Sequence, residues 1–95
     1  MAAYAIFIRE RMRDPKGIEA YNAKAGPSLD GHPAKVLAAY GKQELLEGAA
    51  HEGVVILEFP TMEAARTWYE SPAYRAAREL RFKAADYRAF LVEGL

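Results

Sequence analysis

Two short runs, Ala3 to Ile8 and Val54 to Phe59, are apolar almost without interruption in a chain of only 95 residues. A strand with one wet face alternates apolar and polar residues, so runs of this kind read as strands covered on both faces. Two helices from the same chain can cover one face of a four-stranded sheet but do not easily wrap both. The other face calls for a second subunit, and a homodimer is expected. Length points the same way. The chain, residues 1–95, reads as one domain, and a domain this small buries a modest fraction of its surface, so association adds stability that the fold alone supplies sparingly.

Around these runs the chain divides cleanly. Tyr4 to Met12 reads as a strand that becomes charged at Arg9, Glu10 and Arg11, as though leaving the core. Asp14-Pro15 is a helix start: Asp can accept from free first-turn amides, and Pro at the first helical position loses no needed donor. Ile18, Tyr21, Asn22 and Ala25 keep helical spacing until Gly26-Pro27, and Pro27 opens one more short turn through Leu29. Ala34 to Tyr40 is a second strand, with Gly41-Lys42 expected to turn into a short segment, Gln43 to Glu47, as a ragged hairpin. After an exposed loop, Val54 to Phe59 is the best strand and belongs at the sheet centre. Thr61 caps a helix through Trp68 and Tyr69. Ser71-Pro72 starts another, with Tyr74, Ala77, Leu80, Arg81 and Ala84 on one side, and the two helices bend around Ser71. Tyr87 to Val92 is the last strand. The order strand, helix, strand, strand, helix, strand is the α+β, ferredoxin-like βαββαβ plan, an antiparallel sheet with its helices on one face.

Charge and composition exclude several classes. Thirteen basic residues balance thirteen acidic ones, so no overall field draws the chain to nucleic acid or to an anionic membrane. There is no Cys, hence no disulfide, thiolate nucleophile or zinc ribbon. No apolar run approaches spanning length, and Met1-Ala2-Ala3-Tyr4 enters a strand without a leader pattern, so a cytoplasmic protein is expected. Two distant histidines and scattered carboxylates have no metal-ligand spacing. No phosphate loop, dinucleotide fingerprint or nucleophile elbow is present, so no cofactor is implied.

Several strings carry a family resemblance: Tyr4-Ala5-Ile6-Phe7, Ala25-Gly26-Pro27, Leu46-Glu47-Gly48, Glu58-Phe59-Pro60, Ala64-Ala65-Arg66 with Trp68-Tyr69, Ser71-Pro72 with Tyr74, and Val92-Glu93-Gly94. Together they span nearly the whole chain, and the run from Glu58 to Tyr74 is the specific part. The sequence resembles the uncharacterised domain-of-unknown-function family numbered thirteen-thirty, of the dimeric α/β-barrel superfamily. That resemblance implies two ferredoxin-like sheets joined face to face, and it brings no reaction with it. Members often carry His-Gly-Gly before the second strand. Here the string is Gly31-His32-Pro33-Ala34, and Pro33 removes an amide donor that a ligand would use.

Two residues are candidate acid–base groups. His32 lies in a Gly/Pro-flanked loop near a strand start, and histidine is the side chain type suited to acid–base work, though it also reads as a surface or capping histidine. Glu58 is the one charge in an apolar central strand, on one face with Val54 and Ile56. It is either a general base or orienting carboxylate, or half of a structural ion pair with Arg9 or Arg81. His51, in a polar loop, reads as exposed.

A ligand-binding set is expected from Trp68, Ser71, Tyr74, Arg78 and Arg81. The amides at the Ser71-Pro72 helix start favour an anion, and an arginine can clamp a carboxylate. The competing reading makes Trp68 and Tyr69 core residues and Arg75, Arg78 and Arg81 a wet helix face. Tyr4, Tyr21, Tyr40 and Tyr87 could line a pocket, since buried hydroxyls need partners. Three functions compete: a homodimeric module binding a small acidic or aromatic metabolite between sheet and helices; a cofactor-independent enzyme of monooxygenase or isomerase type using Glu58 or His32; and an interaction protein without a ligand. By superfamily analogy a haem-degrading role is disfavoured, because the residue ten after Trp68 is Arg78 and supplies no histidine for iron. Fold alone does not choose among the three.

Overall fold

The computed structural model describes all residues, 1–95. Four strands and three helices follow the expected order: β1 (Ala3–Met12), α1 (Pro15–Ala25), a 3₁₀ turn (Pro27–Leu29), β2 (Lys35–Ala39), β3 (Gly53–Phe59), α2 (Met62–Tyr69), α3 (Pro72–Ala84) and β4 (Ala85–Glu93). The sheet runs β2-β3-β1-β4, every neighbouring pair antiparallel, so both apolar runs occupy the two central strands. No helix is long and apolar enough to cross a membrane.

Strand alternation sorts the side chains into two faces. Ala3, Ala5 and Phe7 of β1, with Leu57 and Phe59 of β3, are buried under the helices. All of these but Ala3 meet Tyr21, Trp68, Tyr74 and Ala77 in one cluster. Between them fall Tyr4, Ile6 and Ile8, paired in register with Glu58, Ile56 and Val54, on the face that no helix covers. Phe90 and Val92 of β4 continue that open face opposite Ile6 and Tyr4, and both are exposed.

Local starts follow the sequence logic with one difference. Thr61 Oγ1 accepts from the Ala64 amide at 3.0 Å and Ser71 Oγ from the Tyr74 amide at 3.3 Å, capping α2 and α3. Asp14 occupies the N-cap of α1, but its side chain makes no cap bond. Its carboxylate instead lies beside Gly17, the position where α1 passes close to Ala84 of α3.

The hairpin expected from Gly41-Lys42 into Gln43–Glu47 is not formed. β2 pairs only with β3, and residues 40–52 form no strand. The chain turns out of the sheet at Tyr40, whose φ of 56° is left-handed. Gln43–Glu47 has no alternating apolar face to pair, and Leu46 is 88% exposed. His51, expected to be simply exposed, closes this loop by bonding Gln43 Oε1 through Nε2 at 2.8 Å. β4 also starts earlier than expected, at Ala85 rather than Tyr87, and a bulge between Arg9 and Arg11 absorbs the change of register.

Candidate functional site

Small residues leave room between the sheet and α1. Ala25, Gly26 and Ala39 border a cavity of about 180 Å³ whose floor is Phe7, Val55 and Leu57 of the sheet. Tyr21 and Leu29 form one wall, and Trp68 and Tyr74 form the inner end. Its mouth lies at the β2 edge, beside the exposed Asn22, Val36 and Tyr40. The lining is almost entirely apolar, with a few hydroxyls at defined places, which is the usual make-up of a small-molecule site.

Those hydroxyls come in pairs. Tyr21 Oη and Tyr74 Oη are 2.8 Å apart and buried. Tyr40 Oη and Tyr87 Oη are 2.6 Å apart nearer the surface. Burial pushes the Tyr21 and Tyr74 phenols up, with the positive charge of Arg81 opposing the shift at both. Burial and the bond to Tyr87 push Tyr40 up as well. All three therefore stay protonated at neutral pH and serve as hydrogen-bonding groups. Tyr40 is held in its strained backbone conformation by close packing: its ring lies against Gly53, where a Cβ would stand 2.5 Å from Cδ1. The Arg9 guanidinium, itself bonded to Glu52 at 3.1 Å, sits 4.9 Å from the centroid of that ring.

Trp68 is fixed by its Nε1–H, which donates to Ser28 Oγ at 3.1 Å, while Ser28 donates to the Ala25 carbonyl. The Trp68 ring lies 4.2 Å from that of Tyr74, centroid to centroid. Ser71 does not face the cavity: its hydroxyl donates to the Trp68 carbonyl at 2.7 Å and caps α3. Arg78 stacks over Tyr69 at 4.4 Å and bonds the Tyr69 carbonyl and Glu70, tying α3 to the end of α2.

Arg81 is placed differently from its neighbours. Arg75 is exposed and Arg78 half-buried, but Arg81 is only 3% exposed. Its guanidinium carbon lies 5.5 Å from the Phe7 ring centroid, 5.9 Å from Tyr21, and 5.0 Å from both Phe82 and Tyr87. No carboxylate pairs with it, and its buried Nε has no acceptor. Phe7 and Tyr21 also line the cavity, so the charge stands immediately behind the cavity wall.

Glu58 and His32 lie elsewhere. Glu58 points to the open face, opposite Tyr4 and Lys35 in register, at a shallow depression bordered by Met1, Pro33 and Pro60. The ion pair anticipated with Arg9 or Arg81 is not made, because Arg9 is taken by Glu52 and Arg81 lies on the other side of the sheet. His32 borders a separate open hollow with Thr61 and Glu63. No group of three His, Asp or Glu side chains converges to hold a metal. The structure thus brings Trp68 and Tyr74 to the cavity, sets Arg81 behind its wall, and leaves Ser71, Arg78, Glu58 and His32 away from it. Of the four tyrosines named as possible lining, Tyr21 and Tyr40 border the cavity, Tyr87 bonds Tyr40 and Tyr4 lies on the open face; only the left-handed backbone of Tyr40 has no local signal in the sequence.

Similar solved structures share this frame. A protein of unknown function from Rhodopseudomonas palustris superposes with a TM-score of 0.75 at 23% identity, over 99% of this chain and 82% of its own. A dimeric ferredoxin-like protein of unknown function from Thermobifida fusca gives 0.68 at 16% identity, over 97% and 90%. SnoaB, a cofactor-independent oxygenase from Streptomyces nogalater, gives 0.63 at 10% identity, over 99% and 93%. At these identities the likeness is one of fold. No functionally curated protein matches the sequence. A family model does, and it runs over residues 2–95, through every strand, helix and cavity residue described above, so the chain belongs to the family described as Domain of unknown function (DUF1330).

Proposed function

We propose that this chain forms a homodimer whose subunits each bind a small, one-ring metabolite in the cavity between sheet and α1. The carrying observation is the cavity itself: about 180 Å³, apolar, with a buried phenol pair at hand. An engineered apolar cavity of roughly 150 Å³ takes up benzene, so this space suits a single ring with a small substituent. Dimerisation is supported by the uncovered sheet face, where Ile6, Ile56, Phe90 and Val92 form an apolar row. It is supported too by the T. fusca neighbour, itself described as dimeric. Pairing through that face leaves the cavity, on the opposite side of the sheet, free to take its ligand.

The cofactor-independent enzyme reading, favoured by the likeness to SnoaB, has less support from geometry. Glu58 and His32 border open ground and share no enclosed space with the cavity. Trp68 is the only tryptophan and lines the cavity, so its emission reports occupancy directly. Titration with benzyl alcohol and phenylacetate is expected to shift or quench that emission saturably at micromolar to low millimolar concentrations. Spectra unchanged by either probe up to their solubility limits would defeat the reading.

A further inference from the structure

A guanidinium taken out of water normally acquires a carboxylate or several hydrogen-bond acceptors, because burying an unpaired charge is costly. Arg81 has neither. The four rings around it offer their negative faces and relieve part of that cost, but a ring face accepts no directed hydrogen bond. The arrangement is that of a cation whose counter-charge comes from outside the chain.

The phenols beside it have matching chemistry. Two hydroxyls in mutual contact own two protons and spend one on their own bond. The Tyr21–Tyr74 pair therefore keeps a second O–H to donate, and both phenols stand within the field of Arg81. A neutral acceptor would satisfy that proton and leave the guanidinium unmatched. An anion satisfies both.

We infer that the Arg81 end of the cavity is a monoanion site, and that the ligand is a one-ring carboxylic acid bound as its carboxylate. Its ring fills the apolar space between Leu29, Val55 and Trp68. Its carboxylate accepts from the Tyr21–Tyr74 pair, with the Arg81 charge behind them. This rests on the cavity being the ligand site, as proposed above. The selectivity is electrostatic: the ring supplies affinity, and the buried charge chooses the acid over an uncharged molecule of the same shape.

Phenylacetate and phenylacetamide, one anionic and one neutral at pH 7.5, separate the two levels of this reading when their affinities for the intact protein are measured by Trp68 emission and calorimetry. The acid is expected to bind the wild type at least about tenfold more tightly, the range a charge-assisted hydrogen bond provides. In Arg81→Met, a substitution of similar length, that preference is expected to fall to a ratio near one. Equal binding of both probes to the wild type would overturn the anion site and leave the cavity reading standing. No binding of either would overturn both. A preference that survives in Arg81→Met would also overturn the assignment to Arg81. The wild-type comparison decides the anion site even if the variant does not fold.

Discussion

Replacing Trp68 with Ala lowers the unfolding free energy by about 3–5 kcal/mol, the range for deleting a large buried aromatic. Trp68 is 2% exposed and packs edge-on against Phe7 at 6.0 Å and tilted against Phe59 and Tyr74 at 5.6 and 4.2 Å. Its loss removes a ring common to β1, β3 and α3, and strips Ser28 Oγ of its donor. A domain of this kind has roughly 5–15 kcal/mol in all, so the variant stands near the edge of folding. Trp68→Phe keeps most of the ring contact and gives up the indole hydrogen bond. Its loss is expected to be smaller by at least about 2 kcal/mol, since one hydrogen bond contributes about 1 kcal/mol. Urea unfolding followed by far-ultraviolet circular dichroism measures both, as neither variant retains a tryptophan to report by fluorescence. An alanine variant within about 1 kcal/mol of wild type would mean that the ring cluster is not the core.

The second large effect lies on the opposite side of the sheet. Ile6 and Ile56 face each other in register at the middle of the open face, with Phe90 beside Ile6. The double substitution Ile6→Lys with Ile56→Glu places opposite charges directly across the β1–β3 ladder, a pairing that a sheet accommodates. In a face-to-face dimer the same charges would be buried without water. Wild type is expected to sediment as a dimer at micromolar concentration, and the double variant as a folded monomer with an unchanged circular dichroism spectrum. A wild type that sediments as a monomer, or a variant that remains dimeric, would place the interface elsewhere or remove it.

Much of this frame is legible in the sequence. The uninterrupted apolar runs put β1 and β3 at the centre, and Thr61 and Ser71 marked the helix starts, because hydroxyl caps and strand alternation are local properties written in neighbouring residues. The features of the cavity are different in kind. Arg81 falls seven residues after Tyr74 and four after Ala77, on the buried stripe of α3, so its position hinted at burial. Its spacing from Arg75 and Arg78 suggested a wet face just as strongly. What decides between them is the convergence of Phe7 from β1, Tyr21 from α1 and Tyr87 from β4, three elements far apart in sequence.

β2 lies where the sequence puts it, but its bulge and the course of the chain after it, where a hairpin is expected, escape for a similar reason. Its register shifts between Val36 and Ala38, and it leaves the sheet at Tyr40 under the control of Gly53, thirteen positions away in the chain. Glu58 drew attention because one charge in an apolar run is conspicuous. Strand alternation alone placed it with Ile56, and only the fold shows that this face is turned away from the cavity.

Filling the cavity tests its role most directly. Ala25, the last residue of α1, lines the space and is half-buried, and leucine at that position suits a helix and extends into the room a ring would occupy. Phenylacetate titrated into Ala25→Leu, with Trp68 emission and backbone amide shifts as readouts, is the measurement of choice. The account predicts a folded variant, with wild-type circular dichroism and oligomeric state, that has lost binding by at least about tenfold. A folded variant that binds phenylacetate as the wild type does would contradict it and move the ligand out of this cavity.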